Sequence, residues 1–356
     1  MSAAEPTAAA TRSAGPAGRA VGVLIENPLN ADRAMGYLER VCAIGPRPSA
    51  SEGMRRQIAL LRKHFEGLGG QVRTQSFLAP NPLGGAKVRM TNLIVRYRPE
   101  LQRRVLLCAH YDTRPLPDRD PDPVKRRRGV FVGANDGASG VALLMELAHH
   151  MPILSGDVGV DLVMFDGEEY VFRENRDRYF LGSQWFAMQY KKRRAGYRYE
   201  WGVLLDMVGD ADLRLLQERL SWTWRDTRPL VRDIWATAAR LGVREFDPRV
   251  MKTPVRDDHV ALRQFGKIPC IDIIDFTYPH WHTEADTPDK CSGESLAKVG
   301  WVVLEWLRAL DAEGVQGLDA EGVQGRDAEG VQGLNAQSAR QPRAEGAQRP
   351  DAGGQP

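Results

Sequence analysis

Four short apolar runs, VLLCA, VDLVMF, WGVLL and IPCIDII, constrain this chain most. Each is too short to span a membrane, and each leads into acidic or imidazole side chains. Apolar runs separated by helical patterns suit strands covered on both faces. The predicted class is therefore α/β: a single domain with a mainly parallel central mixed β-sheet flanked by helices. In such sheets functional groups gather beyond the carboxyl ends of the strands.

Periodicity predicts strands over 88–97, 105–109, 158–165, 201–206 and 268–275. Helices are predicted over 51–68, 140–150, 182–190, 229–241 and 293–310. In the first, Ile58, Leu61, Phe65 and Leu68 share a face, with Ser49 and Glu52 as a capping box. In the last, Ser292 is the N-cap and Leu296, Val299, Val303 and Trp306 are buried. The first twenty residues are small, polar and broken by Pro and Gly, and 1–30 is expected to be a flexible N-terminal segment. From Leu310 an eight-residue unit repeats, LDAEGVQG, LDAEGVQG, RDAEGVQG, then LNAQ. Each unit offers too little apolar surface to offset its chain entropy, so 311–356 is predicted to be a disordered repetitive tail.

The net charge of +3 on 356 residues makes no general case for nucleic acid. Lys125-Arg126-Arg127-Arg128 and Lys191-Lys192-Arg193-Arg194 read as solvated faces. No run of about 18 apolar residues suggests a membrane span, and the first twenty residues lack a secretory pattern. Cys42, Cys108, Cys270 and Cys291 have no metal-ligand spacing and read as buried free thiols. A cytoplasmic location is expected.

Five polar motifs stand at or after the strand ends: His110-Tyr111-Asp112, Asn135-Asp136, Glu168-Glu169, Asp206, and Trp281-His282-Thr283. Singly they are weak. A histidine after a strand is usually structural, an aspartate before a helix is usually an N-cap, and a glutamate pair is usually surface charge. Together they bring three carboxylates and two imidazoles to one place. Such carboxylates repel unless a cation or proton neutralises them, and the donor set suits zinc. Asp112 is placed to orient the His110 ring, and Asp286 to support the loop carrying His282. Consecutive residues leaving a strand point apart, so one of Glu168 and Glu169 binds while the other is free to move a proton.

The order HYD, NDGASG, DGEE, LD, then HT with a following acid resembles the co-catalytic zinc aminopeptidase family. NLIVRYRPELQRRVLLCAHYDTRP, FVGANDGAS, RDDHVALRQFGKIP and PHWHTEADTPD are similar to the glutaminyl cyclase branch of that family, which converts N-terminal glutamine to pyroglutamate and releases ammonia. The resemblance covers roughly residues 35–310, so 31–310 is expected to be the zinc-dependent catalytic domain. It implies Asp136, Glu169 and His282 as ligands of one zinc ion. It makes Glu168 the proton shuttle with Asp206 and Asp257 as carboxylate partners, and Trp281 with Tyr278 the substrate contacts. Peptide or protein N-termini are the implied substrates, and a monomer the implied state. The alternative is a zinc aminopeptidase, in which His110 and Asp206 hold a second ion and Asp136 bridges the two. The sequence departs from the animal cyclases in three ways. Glu174 stands where a second pocket tryptophan is expected, Val141 stands where Cys108 would find a disulfide partner, and DRDPDPVKRRRG is a long insertion before Asp136.

Overall fold

The computed structural model describes residues 26–154, 156–193 and 196–312. The helices are α1 (Ala31–Cys42), α2 (Glu52–Gly67), α3 (Lys125–Arg128), α4 (Gly140–Leu147), α5 (Leu181–Arg193), α6 (Arg219–Thr223), α7 (Arg228–Leu241), α8 (Asp258–Ala261) and α9 (Gly293–Ala312). The strands are β1 (Gln71–Ala79), β2 (Val88–Tyr97), β3 (Arg103–His110), β4 (Gly159–Phe165), β5 (Arg198–Asp206), β6 (Leu215–Gln217), β7 (Phe246–Val250) and β8 (Cys270–Ile274). Six of them form one sheet in the order β1-β2-β4-β3-β5-β8. The pairs β4–β3, β3–β5 and β5–β8 are parallel, while β1–β2 and β2–β4 are antiparallel. β6 and β7 make a separate parallel pair.

The apolar runs are explained by burial on both faces. Along β3, Val105, Leu107 and Ala109 belong to one buried cluster with α1, α2, α4, α7 and α9. Leu106 and Cys108 belong to another, with Phe186 and Ala187 of α5 and Leu262. The same alternation runs through β4 and β5, so neither face of the central strands meets water. An α/β domain with a central mixed sheet between helices results, as the apolar runs predicted.

Several local expectations change. Ser51, not Ser49, caps α2, accepting from Met54 N at 3.0 Å. Ser49 is instead buried and donates to Asp166 Oδ1 at 2.6 Å. Helix 140–150 stops being α-helical at Leu147 and continues as a 3₁₀ turn to Ile153. α1, β1 and the β6–β7 pair were not predicted. Residues 26–30 are already part of the packed body: Leu29 is buried, and Asn27 Nδ2 donates to Ala297 O at 3.1 Å. The rest of the predicted N-terminal segment, through residue 25, and the predicted tail from 313 lie outside the described residues. Among the described residues, no helix is long and apolar enough to cross a membrane. All four cysteines are free and buried, so Cys108 has no disulfide partner.

Candidate active site

The carboxyl ends of the parallel strands and the loops after them bring the predicted residues together in one buried cluster. His110 ends β3 and Asp206 ends β5, while Glu168 and Glu169 follow β4. Asp136 lies in the turn between β3 and α4, and His282 in the loop after β8. Backbone shape demands particular residues here. Gly137 has φ +101°, and a Cβ there would stand 2.9 Å from Asp112 O and 3.2 Å from the His110 ring, so only glycine fits. His282 itself has φ +57°, a conformation that a non-glycine residue holds only when its surroundings enforce it.

Two groups of donor atoms form, and they share Asp136. One is Asp136, Glu169 and His282; the other is His110, Asp136 and Asp206. Within each, the donor atoms all lie within 4.8 Å of one another, and all five residues are buried. The two groups differ in how their atoms are engaged. His110 Nε2 is 3.2 Å from Asp206 Oδ1, a hydrogen bond, and 3.2 Å from Asp136 Oδ1. His282 Nε2 and Asp136 Oδ2, 3.3 Å apart, are buried without a hydrogen-bond partner. Glu169 Oε1 is 3.3 Å from the same nitrogen. Unpartnered buried donors of this kind are costly unless something ligates them, and one carboxylate pair with one imidazole fits a metal ion.

The electrostatics separate the two glutamates. Burial, then the charge of Glu169, raises the Glu168 carboxyl well above its ordinary pKa; Asp257 and Asp258 add to this, and His110 opposes it. Glu169 is equally buried, but Arg114 and His282 outweigh that burial and hold it well below the usual range. For His282, burial disfavours the charged form, yet Glu169 and Asp118 outweigh it and raise the ring to about 9. The cluster thus favours positive charge beside Glu169. Asp257 is raised well above a normal aspartate by burial, then by Asp206 and Asp258. It also caps α8, accepting from Asp258 N.

The supporting residues work differently from expectation. The backbone carbonyl of Asp112, not its carboxylate, meets His110 Nδ1, at 3.1 Å. The Asp112 carboxylate instead accepts from Glu168 N at 3.2 Å and Glu169 N at 3.0 Å, aiming both glutamates. Asp286 accepts from Asn135 N at 2.8 Å and Asp136 N at 3.0 Å, and its own N donates to Thr283 O at 3.1 Å, so it ties the Asp136 turn to the His282 loop. Tyr278 is buried, and its hydroxyl donates to Asp286 Oδ1 at 2.8 Å. It thereby ties the segment before His282 to Asp286. Trp281 is half-buried and stacks on His282 with ring centroids 4.0 Å apart. Glu174 binds Arg119, whose guanidinium lies over the Trp281 ring at 5.1 Å. The long insertion therefore does reach the site.

Arg114 and Asp118 were missed in the sequence. Both flank the site, and the only signal was their position just after the HYD motif.

Residues 92–307 match peptidase family M28. The chain belongs to that family. A glutaminyl cyclase structure from Fimbriiglobus ruber is 42% identical, covers 82% of this chain and 99% of its own, and superposes with a TM-score of 0.76. A Bacteroides thetaiotaomicron leucine aminopeptidase precursor is 30% identical, covering 80% of this chain and 99% of its own, with a TM-score of 0.73. The glutaminyl-peptide cyclotransferase of Drosophila melanogaster is 27% identical over 251 residues, 64% of this chain and 68% of that protein. Within M28 the chain falls in the glutaminyl cyclase branch.

Proposed function

We propose that this M28 enzyme is a zinc-dependent glutaminyl-peptide cyclotransferase, converting N-terminal glutamine of peptides or proteins to pyroglutamate with release of ammonia. The observation that carries this reading is the buried donor group of Asp136, Glu169 and His282, with donor atoms within 4.8 Å of one another, in a chain of the glutaminyl cyclase branch. Asp136 and His282 present open donor atoms beside Glu169, whereas His110 is hydrogen-bonded to Asp206. That supports a one-ion site, with Asp136, Glu169 and His282 as the ligands and zinc as the ion.

When bound, the ion supplies Lewis-acid polarisation of the γ-carbonyl. The protein's own residues do the rest. Glu168 takes a proton from the α-amine, whose nitrogen bonds to the side-chain amide carbon (Cδ). As the carbon–nitrogen bond of the side-chain amide breaks, Glu168 returns the proton to the departing ammonia. A carboxyl raised above its ordinary pKa is suited to both halves of this exchange. Asp206 and Asp257 help keep a proton in the network, through the hydrogen bond to His110 and the field at Glu168. Because nucleophile and target belong to one residue, orientation supplies much of the acceleration. Trp281 forms one wall of the pocket, and the Arg119–Glu174 pair replaces the second aromatic wall.

The aminopeptidase alternative is favoured by one observation, the second donor group of His110, Asp136 and Asp206. It would take a second ion and a hydrolytic water. Titrating metal-free protein with zinc separates the two: activity on a glutamine peptide should be complete at one equivalent per chain. A requirement for two equivalents would overturn the one-ion reading.

Around this site we place a catalytic domain over about 31–310 in a monomeric protein, with flanking segments outside it. Four free buried cysteines support a cytoplasmic location.

A further inference from the structure

The inference concerns four side chains that close into a ring beside the open donors. His282 Nδ1 is 3.0 Å from Asp118 Oδ1, an ion-pair contact that is not aligned as a hydrogen bond. Asp118 Oδ2 accepts from Arg114 Nη2 at 2.8 Å. Arg114 Nη1 reaches both oxygens of Glu169, at 3.3 Å each, and Glu169 Oε1 returns to His282 Nε2 at 3.3 Å. Arg114 is only 2% exposed and is held further by the Tyr179 hydroxyl at 3.3 Å. A planar guanidinium can bridge two carboxylates in fixed geometry, which a lysine cannot do.

We propose that Asp118 and Arg114 are positioning residues that hold His282 and Glu169 in ligand geometry and thereby set the zinc affinity of the site. This rests on reading Asp136, Glu169 and His282 as zinc ligands. A carboxylate 3.0 Å from Nδ1 favours the proton on that nitrogen, which leaves the Nε2 lone pair for a ligand. The imidazole also needs enforcement, because its backbone is left-handed at φ +57°. The same segment supplies it twice: Asp118 meets the ring, and Arg119 N donates to His282 O at 3.1 Å. Arg114 then links the two ligands, so that moving one strains the other. Neither positioning residue needs to touch substrate.

The test is zinc affinity, measured by competition with a coloured chelator, for wild type, Asp118→Asn and Arg114→Lys. Asp118→Asn preserves shape and removes the charge that orients Nδ1. It should weaken zinc binding about 10–100-fold while the metal-free protein unfolds at nearly the wild-type temperature. Saturating zinc should restore its kcat/KM. Arg114→Lys should also weaken binding. Affinity in Asp118→Asn within about twofold of wild type would overturn the proposal, as would activity that stays low when zinc is saturating. Should Asp118→Asn fold poorly, Arg114→Lys decides by the same readout. Wild-type protein that binds zinc without cyclising glutamine would refute the proposed reaction and leave this inference standing. Wild-type cyclisation with unchanged affinity in the variants would refute this inference alone.

Discussion

Glu168 and Glu169 are neighbours in sequence and equally enclosed, yet their protons are pushed in opposite directions. Arg114 and His282 face Glu169 and stabilise its anion. Glu168 has burial and a crowd of carboxylates around it, with only His110 in its favour. Glu168→Gln removes the titrating group without disturbing the Asp112 bonds to the backbone. It should bind zinc as wild type does and lose about 10²–10⁴ in kcat; near-normal turnover in a steady-state assay would remove Glu168 from its proton-carrying role. At this scale His110, Glu168, Glu169 and Asp206 stood out because each ends or closely follows an apolar strand, while Asp136 and His282 stood out by their motifs. Arg114 and Asp118 did not, since an arginine after the HYD motif and the first aspartate of a charged insertion look like solvated surface. Only the fold shows that Arg114 is buried. Tyr278 carries a bond that spacing does not announce: its hydroxyl donates to Asp286 Oδ1 at 2.8 Å.

The central strands carry charges that an apolar pattern does not anticipate. Asp161 lies inside VDLVMF, fully buried in β4, where Arg104 donates to it through Nε at 3.0 Å and also through Nη2. Tyr199 and Arg96 complete its surroundings. Both members of the Arg104–Asp161 pair are essentially inaccessible. Truncating one partner leaves an uncompensated buried charge, so Asp161→Ala should destabilise the protein by about 3–5 kcal/mol in urea unfolding. A loss under about 1 kcal/mol would mean that Arg104 finds another partner. Strand existence was readable from such runs because burial on both faces leaves no alternation to misread. β1 was not readable: it is a sheet edge with mostly exposed side chains, and its polar sequence QVRTQSFLA offers little apolar signal. Ser49 likewise looked like a cap, because capping chemistry is local whereas its real partner, Asp166, is distant in sequence.

Across the whole molecule, the sheet gathers more buried carboxyls than the ion alone requires, and this makes stability depend on pH. Burial raises Asp258 from 3.8 to about 7, although Ser183 donates to it and opposes the shift. Between those pH values the folded wild type keeps a proton that the unfolded chain has released. Its stability therefore falls as pH rises from about 4 to about 7, where the folded group finally ionises. Asparagine does not titrate. The stability of metal-free Asp258→Asn relative to wild type should accordingly grow over that window and level off above it. Urea midpoints taken at about pH 5 and about pH 8 measure the change, and a difference that is flat or shrinks with pH would contradict it. Architecture and the location of the site were legible because both follow from strands whose ends carry the chemistry. The engagement of His110, against the openness of His282, is a matter of side-chain geometry that no spacing encodes.

The central claim is that this arrangement cyclises rather than hydrolyses. Incubating the zinc-loaded protein with Gln-Phe and with Leu-Phe, and resolving the products by mass, tests it directly. The account predicts pyroglutamyl-Phe from the first and unchanged Leu-Phe from the second; free leucine, or free glutamine with phenylalanine, would contradict it.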